Sequence, residues 1–296
     1  MTRKISLNTA KIRKFYAKFG INVERFISNV ESFELVEGPY GLKEWQPKVT
    51  GDSEFYGELG QFPWYYKTDK PEFQLALPFT IDRNILEVGC GEGHFCRLSN
   101  FSSYVGIDLN PQAIIKGKQS GYDVCVDTIE GYARKHPKKF GIVCSFQVLE
   151  HLADPSIYFK SAHVLLASDG LLITSVPSDD SFVGYQIDNI LNSPPHHLTR
   201  WSDSALREYP KQFGFECIEL SHVLVDNCHY HWFWTLFIQD LFSPESLENK
   251  YELPSIITRI KSKIILLLLR AMGAKIKVSE YFKIPGHTVL AVYRKI

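Results

Sequence analysis

The chain has 296 residues, with 33 basic and 33 acidic side chains, 45% apolar residues and 22% charged residues. A chain of this length can bury a full core, and its apolar fraction excludes a disordered protein. Because contacts to phosphates need an excess of cations, a net charge of zero argues against a general nucleic-acid-binding protein. We therefore expect no nucleic-acid partner.

The six cysteines include no CxxC pair, which argues against a zinc ribbon and against a small disulfide-linked scaffold. The longest apolar run, residues 264–269, is much too short for a transmembrane helix. The N-terminus also lacks the apolar region of a secretory signal. These features predict a reducing, cytoplasmic compartment.

Residues 1–75 lack a regular alternation of strands and helices, and we predict an N-terminal leader of helices and loops that covers the active site. Within it, residues 1–23 carry cations and no acidic side chain. This charge pattern leaves peripheral contact with an anionic membrane open as an alternative.

Residues 76–296 are predicted to form the main domain, in which short apolar runs alternate with helical stretches. The predicted strands cover 84–88, 104–108, 122–126, 140–145 and 170–176, and the predicted helices 93–99, 111–119, 128–135 and 155–167. Strands joined by single helices form a parallel sheet that is covered on both faces. We therefore predict an α/β, Rossmann-like, doubly wound sheet.

The pattern changes after the fifth predicted strand. Ser202 caps a predicted helix that Gly214 ends, and two further strands are predicted over 215–225 and 287–294. The long segment between these strands exceeds what a hairpin needs, and we predict that about 227–285 form a helical lid over the active site.

Part of this lid carries an apolar helical stripe flanked by cations, over residues 255–278. A lid helix packed on the core is the first interpretation. A basic amphipathic helix on an anionic membrane surface is the alternative.

The strongest motif is the glycine-rich turn of residues 85–95, Ile-Leu-Glu-Val-Gly-Cys-Gly-Glu-Gly-His-Phe. Gly89 permits a sharp turn, Gly91 a close approach of a ligand to the backbone, and Gly93 an early start of the next helix. A purely structural turn is the alternative. Asp108 follows at a distance that suits hydrogen bonds to both hydroxyls of a ribose. The GxGxG spacing suits a nucleoside without phosphates better than a dinucleotide such as NAD.

On these motifs the chain resembles the class I S-adenosylmethionine-dependent methyltransferases, and most closely the bacterial small-molecule group typified by ubiquinone-biosynthesis O-methyltransferases. The resemblance covers residues about 80–225 and rests on four segments: 87–93, 105–110, 140–155 with Gln147-Val-Leu-Glu-His151, and 170–177. It implies S-adenosylmethionine as cofactor and S-adenosylhomocysteine as product. It also implies a seven-stranded sheet whose C-terminal strand runs antiparallel between its neighbours.

The resemblance further implies a cofactor site. Its members are Glu87, Gly89, Cys90, Gly91, Gly93, Asp108, Leu109, Asp127, Thr128, Phe146 and Gln147. Glu87 would lie near the amino group of the cofactor, Asp108 at the ribose hydroxyls and Leu109 on the adenine. Asp127 would face the adenine amino group, although a helix N-cap is an equal alternative for this residue.

Methyl transfer from a sulfonium is an in-line displacement, so the protein contributes mainly proximity and orientation. A general base matters only for a poorly acidic acceptor. The candidates are His151, at the carboxyl edge of the predicted sheet, and the pair His196 and His197, with Asp180 as a weaker one. For each histidine, packing or a hydrogen-bonded structural role is the alternative.

No metal site is expected, because Cys228, His229 and His231 lack a second pair of ligands. The predicted function is transfer of a methyl group to a small-molecule acceptor, with O-methylation of a sugar, glycan-precursor or lipid-precursor hydroxyl favoured. A non-catalytic cofactor-binding or scaffold protein with the same fold is the alternative. An NAD-dependent enzyme is disfavoured by the glycine spacing, and the acceptor and the oligomeric state stay open.

Overall fold

The structure is a computed structural model that describes residues 5–65, 67–98, 101–184, 186, 189–225, 232, 233, 264 and 285–296. Apart from residues 232, 233, 264 and 285, the predicted lid over 227–285 lies outside the described residues. Among the helices that are described, none is long and apolar enough to cross a membrane.

Strands and helices alternate along much of the described chain. The strands are β1 (Ile5–Asn8), β2 (Ser32–Glu37), β3 (Lys43–Gln46), β4 (Asn84–Val88), β5 (Ser103–Asp108), β6 (Val124–Val126), β7 (Phe140–Phe146), β8 (Leu166–Pro177), β9 (Thr199–Arg200), β10 (Phe215–Leu224) and β11 (Pro285–Lys295). The α-helices are α1 (Thr9–Ala17), α2 (Glu24–Ile27), α3 (Ser53–Leu59), α4 (Pro71–Ala76), α5 (Pro111–Gln119), α6 (Ile129–Lys135), α7 (Pro155–Leu165) and α8 (Asp203–Glu208). Short 3-10 helices cover Pro39–Gly41, Leu77–Phe79, His94–Leu98, Leu149–His151, Ile190–Asn192 and Tyr209–Phe213.

The larger sheet has seven strands in the order β10-β11-β8-β7-β4-β5-β6. Strands β4 to β8 pair in parallel, whereas β11 pairs antiparallel with both β8 and β10. The predicted doubly wound α/β sheet with an antiparallel C-terminal strand is therefore confirmed. Its parallel strands bring their carboxyl ends to one edge, which is where open α/β sheets bind ligands.

Several predicted boundaries differ from the structure by a few residues: the strands predicted over 122–126 and 170–176, for example, cover Val124–Val126 and Leu166–Pro177. Two predicted helices differ as well. The helix predicted over 93–99 is a short 3-10 helix, in which the Cys96 amide donates to the Gly93 carbonyl at 3.1 Å. The helix predicted to reach residue 167 ends at Leu165, because Leu166 already pairs with Phe140 of β7. In the second case a tertiary contact overrides local helix propensity.

The helix near the C-terminal strands has the predicted ends. The Ser202 hydroxyl accepts a hydrogen bond from the Ala205 amide at 3.1 Å, which is the geometry of an N-cap. Gly214 adopts φ +80° directly after the following 3-10 helix, so it ends this helical segment in the left-handed region.

The leader contains a small sheet in addition to the predicted helices and loops. Its order is β1-β2-β3-β9, with antiparallel pairing throughout. The strands were missed because their alternating runs are short, as in β2, where Phe33 and Leu35 point inward. The fourth strand, β9, comes from the main domain and pairs with β3 at residues 199 and 200. This pairing fixes the leader to the segment that follows His196 and His197 in the main domain.

Candidate functional site

The glycine-rich turn between β4 and the next helix has left-handed backbone at Gly89, Gly91 and Gly93, with φ of +69°, +55° and +81°. The Gly89 and Cys90 amides both donate to the Ile107 carbonyl of β5, at 2.8 and 3.1 Å. A β-carbon at Gly89 would lie 2.4 Å from Cγ2 of Val148. The turn therefore needs glycine at this position for conformational and steric reasons.

Replacing Gly89 by alanine is expected to lower the free energy of unfolding by about 2–5 kcal/mol, combining left-handed strain with overlap against Val148. Gly121→Ala is the matched control, because Gly121 has φ +83° and a β-carbon there would meet nothing within 4 Å. The control should show the strain alone, about 1 kcal/mol. Urea unfolding measures both, and equal losses would contradict the steric argument.

Asp108 ends β5 beside this turn. Its Oδ2 accepts a hydrogen bond from the Gly91 amide at 2.8 Å, and its Oδ1 accepts one from the Asn110 amide at 2.7 Å. Burial raises the pKa of the Asp108 carboxyl, and the two amides oppose that rise. The Leu109 amide also contributes to holding this carboxylate. Since a carboxylate has about four lone-pair sites, acceptor capacity remains for a ligand.

A cavity of about 540 Å³, which we call the Asp108 cavity, opens next to this carboxylate. Predicted cofactor residues along its wall are Gly89, Asp108, Leu109, Asp127, Thr128 and Gln147. Leu109 is 61% exposed, so its side chain is free to cover a flat ring. Tyr56 and residues 50–53 of the leader line the same cavity.

Asp127 and Thr128 have different local roles. Lys135 donates to Oδ2 of Asp127 at 2.7 Å and thereby lowers the pKa of that carboxyl. The Thr128 hydroxyl accepts from the Gly131 amide at 2.9 Å and caps α6. The N-cap considered for Asp127 is thus provided by Thr128, and the adenine contact of Asp127 stays a prediction.

Glu87, Phe146 and Gln147 lie at the carboxyl ends of β4 and β7. Glu87 is buried and accepts a hydrogen bond from the Tyr104 hydroxyl, and burial raises its pKa to about 8. The Phe146 ring packs edge-on against Phe73, with ring centres 4.7 Å apart. Gln147 has φ +62°, a left-handed conformation that turns the chain away from the sheet edge.

A second cavity of about 230 Å³, which we call the histidine cavity, is lined by residues that include Glu87, Gly91, Glu150 and the three predicted histidines. Four residues line both this cavity and the Asp108 cavity: Tyr65, Gly89, Gln147 and His151. The two cavities therefore adjoin at the glycine turn, and His151 lies where they meet.

The structure brings His151, His196 and His197 together. The ring centre of His151 lies 4.7 Å from each of the other two, and those two rings stack at 4.4 Å. Each Nδ1 faces an oxygen atom. That of His151 faces the His196 carbonyl at 2.6 Å, that of His196 the Leu191 carbonyl at 2.8 Å, and that of His197 faces Oδ1 of Asn192 at 3.0 Å. Because these oxygens accept, each Nδ1 carries the proton and each Nε2 carries a lone pair in the neutral ring. The Nε2 of His196 lies 3.3 Å from the Tyr65 hydroxyl, which can donate to it.

Burial lowers the pKa of His151 to about 4, that of His196 to about 3, and that of His197 well below its usual range. The three imidazoles are therefore neutral at neutral pH. A neutral imidazole can accept a proton or bind a metal ion through Nε2, which a protonated one cannot do.

Glu150 is a site residue that the sequence analysis missed. Its Oε1 lies 3.9 Å from Nε2 of His197 and 4.0 Å from Nε2 of His151. The side chain is 1% exposed, neither oxygen has a hydrogen-bond partner within the described chain, and burial raises the pKa to about 8. The signal in the sequence is an acidic residue directly before His151, within the segment Gln147-Val-Leu-Glu-His151.

Backbone contacts fix the pair His196–His197 against the segment of His151. The Leu198 amide donates to the Glu150 carbonyl at 2.8 Å, and the Thr199 hydroxyl donates to the Leu149 carbonyl at 3.3 Å. Asp180, by contrast, lines neither cavity and accepts a hydrogen bond from the Asp203 amide at 2.6 Å. Cys228, His229 and His231 lie outside the described residues.

Comparison with known proteins adds two kinds of similarity. A family model described as a methyltransferase domain matches residues 65–220, just over half of the chain. This chain is 26% identical to the ubiquinone biosynthesis O-methyltransferase of Glaesserella parasuis serovar 5 (strain SH0165) and 30% identical to that of Ruegeria sp. (strain TM1040). These matches cover 47% and 48% of this chain, and 67% and 59% of the two relatives.

Among solved structures, a SAM-dependent methyltransferase from Thermotoga maritima, described as a possible histamine N-methyltransferase, has a similar fold. The TM-score is 0.53 at 17% sequence identity, and the match covers 82% of this chain and 98% of that one. At this identity the similarity supports the fold alone.

Proposed function

Since this chain belongs to the methyltransferase domain family and its cofactor is S-adenosylmethionine, we propose that it transfers the methyl group to a hydroxyl of a small molecule bound in the histidine cavity. The observation that carries this proposal is the junction of the two cavities at Gly89, Gln147 and His151. A donor whose adenosine part lies in the Asp108 cavity would meet an acceptor in the histidine cavity there, as an in-line displacement requires.

The Asp108 cavity suits the adenosine part of the cofactor. It offers a carboxylate for the two ribose hydroxyls and the exposed Leu109 side chain for the adenine face. The methionine part would then extend along the glycine turn towards Glu87, whose carboxyl group lines the histidine cavity. This placement directs the sulfonium towards His151.

The histidine cavity suits a hydroxyl acceptor. An alcohol is poorly acidic and needs help to lose its proton, whereas an amine can attack in its neutral form. A neutral imidazole beside the cavity can accept that proton, and Trp64 and Tyr65 of the leader supply aromatic surface for a sugar or ring face. We also propose that the leader and the predicted lid cover the bound acceptor. Contact with a membrane-bound precursor is part of the same proposal.

The acid limb of the pH profile should reflect the low pKa of His151. Because this pKa is about 4, the neutral ring persists in mild acid, and we expect the rate of methyl transfer to fall only below about pH 5. Steady-state rates over a pH series measure this. A rate that already halves near the ordinary histidine value of 6.5 would contradict a neutral, buried His151.

The same low pKa makes stability depend on pH. The unfolded chain protonates His151 near pH 6.5, whereas the folded chain resists protonation down to about pH 4, so the free energy of unfolding should fall as the pH drops through this window. The raised pKa values of Glu87 and Glu150 have the opposite effect, because these groups stabilise the folded chain as the pH drops. The contribution of His151 is therefore measured by urea unfolding as the difference in pH dependence between the wild type and His151→Leu. An equal pH dependence in both proteins would contradict the assignment.

The proposed function is tested with methyl-labelled S-adenosylmethionine and panels of hydroxyl and amine acceptors, followed by mass spectrometry of the product. We expect a methyl ether that survives mild alkali. A methylated amine would overturn the choice of acceptor. Cofactor binding without transfer to any acceptor would favour the non-catalytic alternative.

A further inference from the structure

We propose that His151, His196, His197 and Glu150 form a binding site for a divalent transition-metal ion such as Zn²⁺. One ring nitrogen from each histidine lies within 4.8 Å of the others, and the Glu150 carboxylate is adjacent. This site departs from the expectation, drawn from the sequence, that the chain has no metal site. As binding chemistry it does not depend on the proposed methyl acceptor.

The first argument is the orientation of the rings. In most metal sites a histidine ligand donates its other ring N–H to a carbonyl or carboxylate oxygen, which fixes the ring and its tautomer. All three Nδ1 atoms have such oxygen partners in this cluster, at 2.6 to 3.0 Å. The Nε2 lone pairs consequently remain for an ion, which at His196 would replace the contact of Nε2 with the Tyr65 hydroxyl at 3.3 Å.

The second argument is the buried carboxylate. Its oxygens lack hydrogen-bond donors within the described chain, and one of them lies within 4.0 Å of two Nε2 atoms that carry lone pairs. Lone pairs and a carboxylate repel one another unless a positive charge lies between them. Either a metal ion or a proton on Glu150 can supply that charge, and the two possibilities have different experimental signatures.

The third argument is distance. A zinc ion takes imidazole nitrogens at about 2.0–2.1 Å. From separations of at most 4.8 Å, each nitrogen would have to move inward by less than about 1 Å to reach this distance. Neutral imidazoles with a carboxylate are ligands that suit Zn²⁺, Fe²⁺ or Ni²⁺ better than Mg²⁺ or Ca²⁺.

The ion would face the histidine cavity, which the four ligands line. If the proposed function is correct, the oxygen of the acceptor would take a fifth coordination position, where a cation favours loss of the hydroxyl proton. Lys70 lines the same cavity, and its charge opposes a cation there, since it lowers the pKa of His151 and of Glu150. Glu87 and Glu150 lie along that wall, and they would offset this charge once an ion displaces the protons that their raised pKa values of about 8 retain at neutral pH.

The test uses the full chain without a histidine tag, stripped with a chelator and dialysed against Zn²⁺ or Co²⁺ in the absence of cofactor and acceptor. We expect one ion per chain by elemental analysis, and visible absorption bands for Co²⁺ bound to nitrogen and oxygen ligands. His197→Ala should lose the bound ion, and Glu150→Gln should weaken binding about 10- to 100-fold. His94→Gln is the matched control, because His94 lines the same cavity outside the cluster and should retain the ion.

Circular dichroism and binding of S-adenosylhomocysteine would establish that each variant is folded. No bound ion in the folded wild type would overturn the proposal and leave a proton on Glu150 as the compensating charge. An ion that persists in His197→Ala but is lost from Cys228→Ser/His231→Gln would also overturn it. Metal binding without methyl transfer would count against the proposed function alone.

Discussion

Replacing His151 by alanine is expected to lower the rate of methyl transfer about 10²- to 10⁴-fold, the usual contribution of a side chain that handles the proton of the acceptor. His151 lines both cavities, and because its Nδ1 donates to the His196 carbonyl at 2.6 Å, its Nε2 carries the lone pair that would accept the proton. The loss should fall on kcat, since the glycine turn and Asp108 still hold the cofactor. Steady-state kinetics together with calorimetry of cofactor binding separate the two effects.

The control for this prediction is His136→Gln. His136 follows α6, contacts the Tyr132 ring with centres 4.3 Å apart, and lines neither cavity, so its replacement should leave kcat unchanged. A His151→Ala protein with the kcat of the wild type would remove His151 from the mechanism. A protein that instead loses cofactor affinity would make His151 part of the cofactor site.

The sequence predicted the fold well where each element carries its own signal. Buried apolar runs ended by Gly89 or Asp108 are strong local patterns, and the parallel strands were found within a few residues. The small leader sheet was missed because β1 and β3 have only four residues each, and pairing with β9 depends on a contact far along the chain. Short runs of this kind carry too little periodicity to be recognised.

The site was predicted as separate residues, and its assembly was not. His151 and the pair His196–His197 are 45 residues apart in the sequence at the nearest. The sequence presents them as alternative candidates for the general base. Their contact depends on β9 pairing with the leader and on the Leu198 amide binding the Glu150 carbonyl. Long-range pairing of this kind leaves no local trace in a single sequence. Glu150 was missed for a related reason, because nothing local shows that its carboxylate faces the same cavity as the histidines.

Replacing Asp108 by alanine is expected to weaken binding of S-adenosylmethionine and S-adenosylhomocysteine by about 1.5–3 kcal/mol, or roughly 10- to 150-fold, which is the scale of hydrogen bonds to a charged group. Calorimetry measures the change from an expected micromolar affinity. Asp127→Ala is the control, because the Asp127 carboxylate is already engaged by Lys135 at 2.7 Å and should contribute less. Unchanged affinity in Asp108→Ala would contradict its assignment to the ribose.

Asp108 also holds the glycine turn through the Gly91 amide, so a loss of affinity alone does not prove contact with the ribose. A double cycle with 2′-deoxy-S-adenosylhomocysteine separates the two effects, because it removes one hydroxyl from the ligand and leaves the turn intact. In the wild type the missing hydroxyl should cost about 1–2 kcal/mol, whereas in Asp108→Ala it should cost almost nothing. If the deoxy ligand loses the same affinity in both proteins, Asp108 supports the turn and the ribose is bound by other groups.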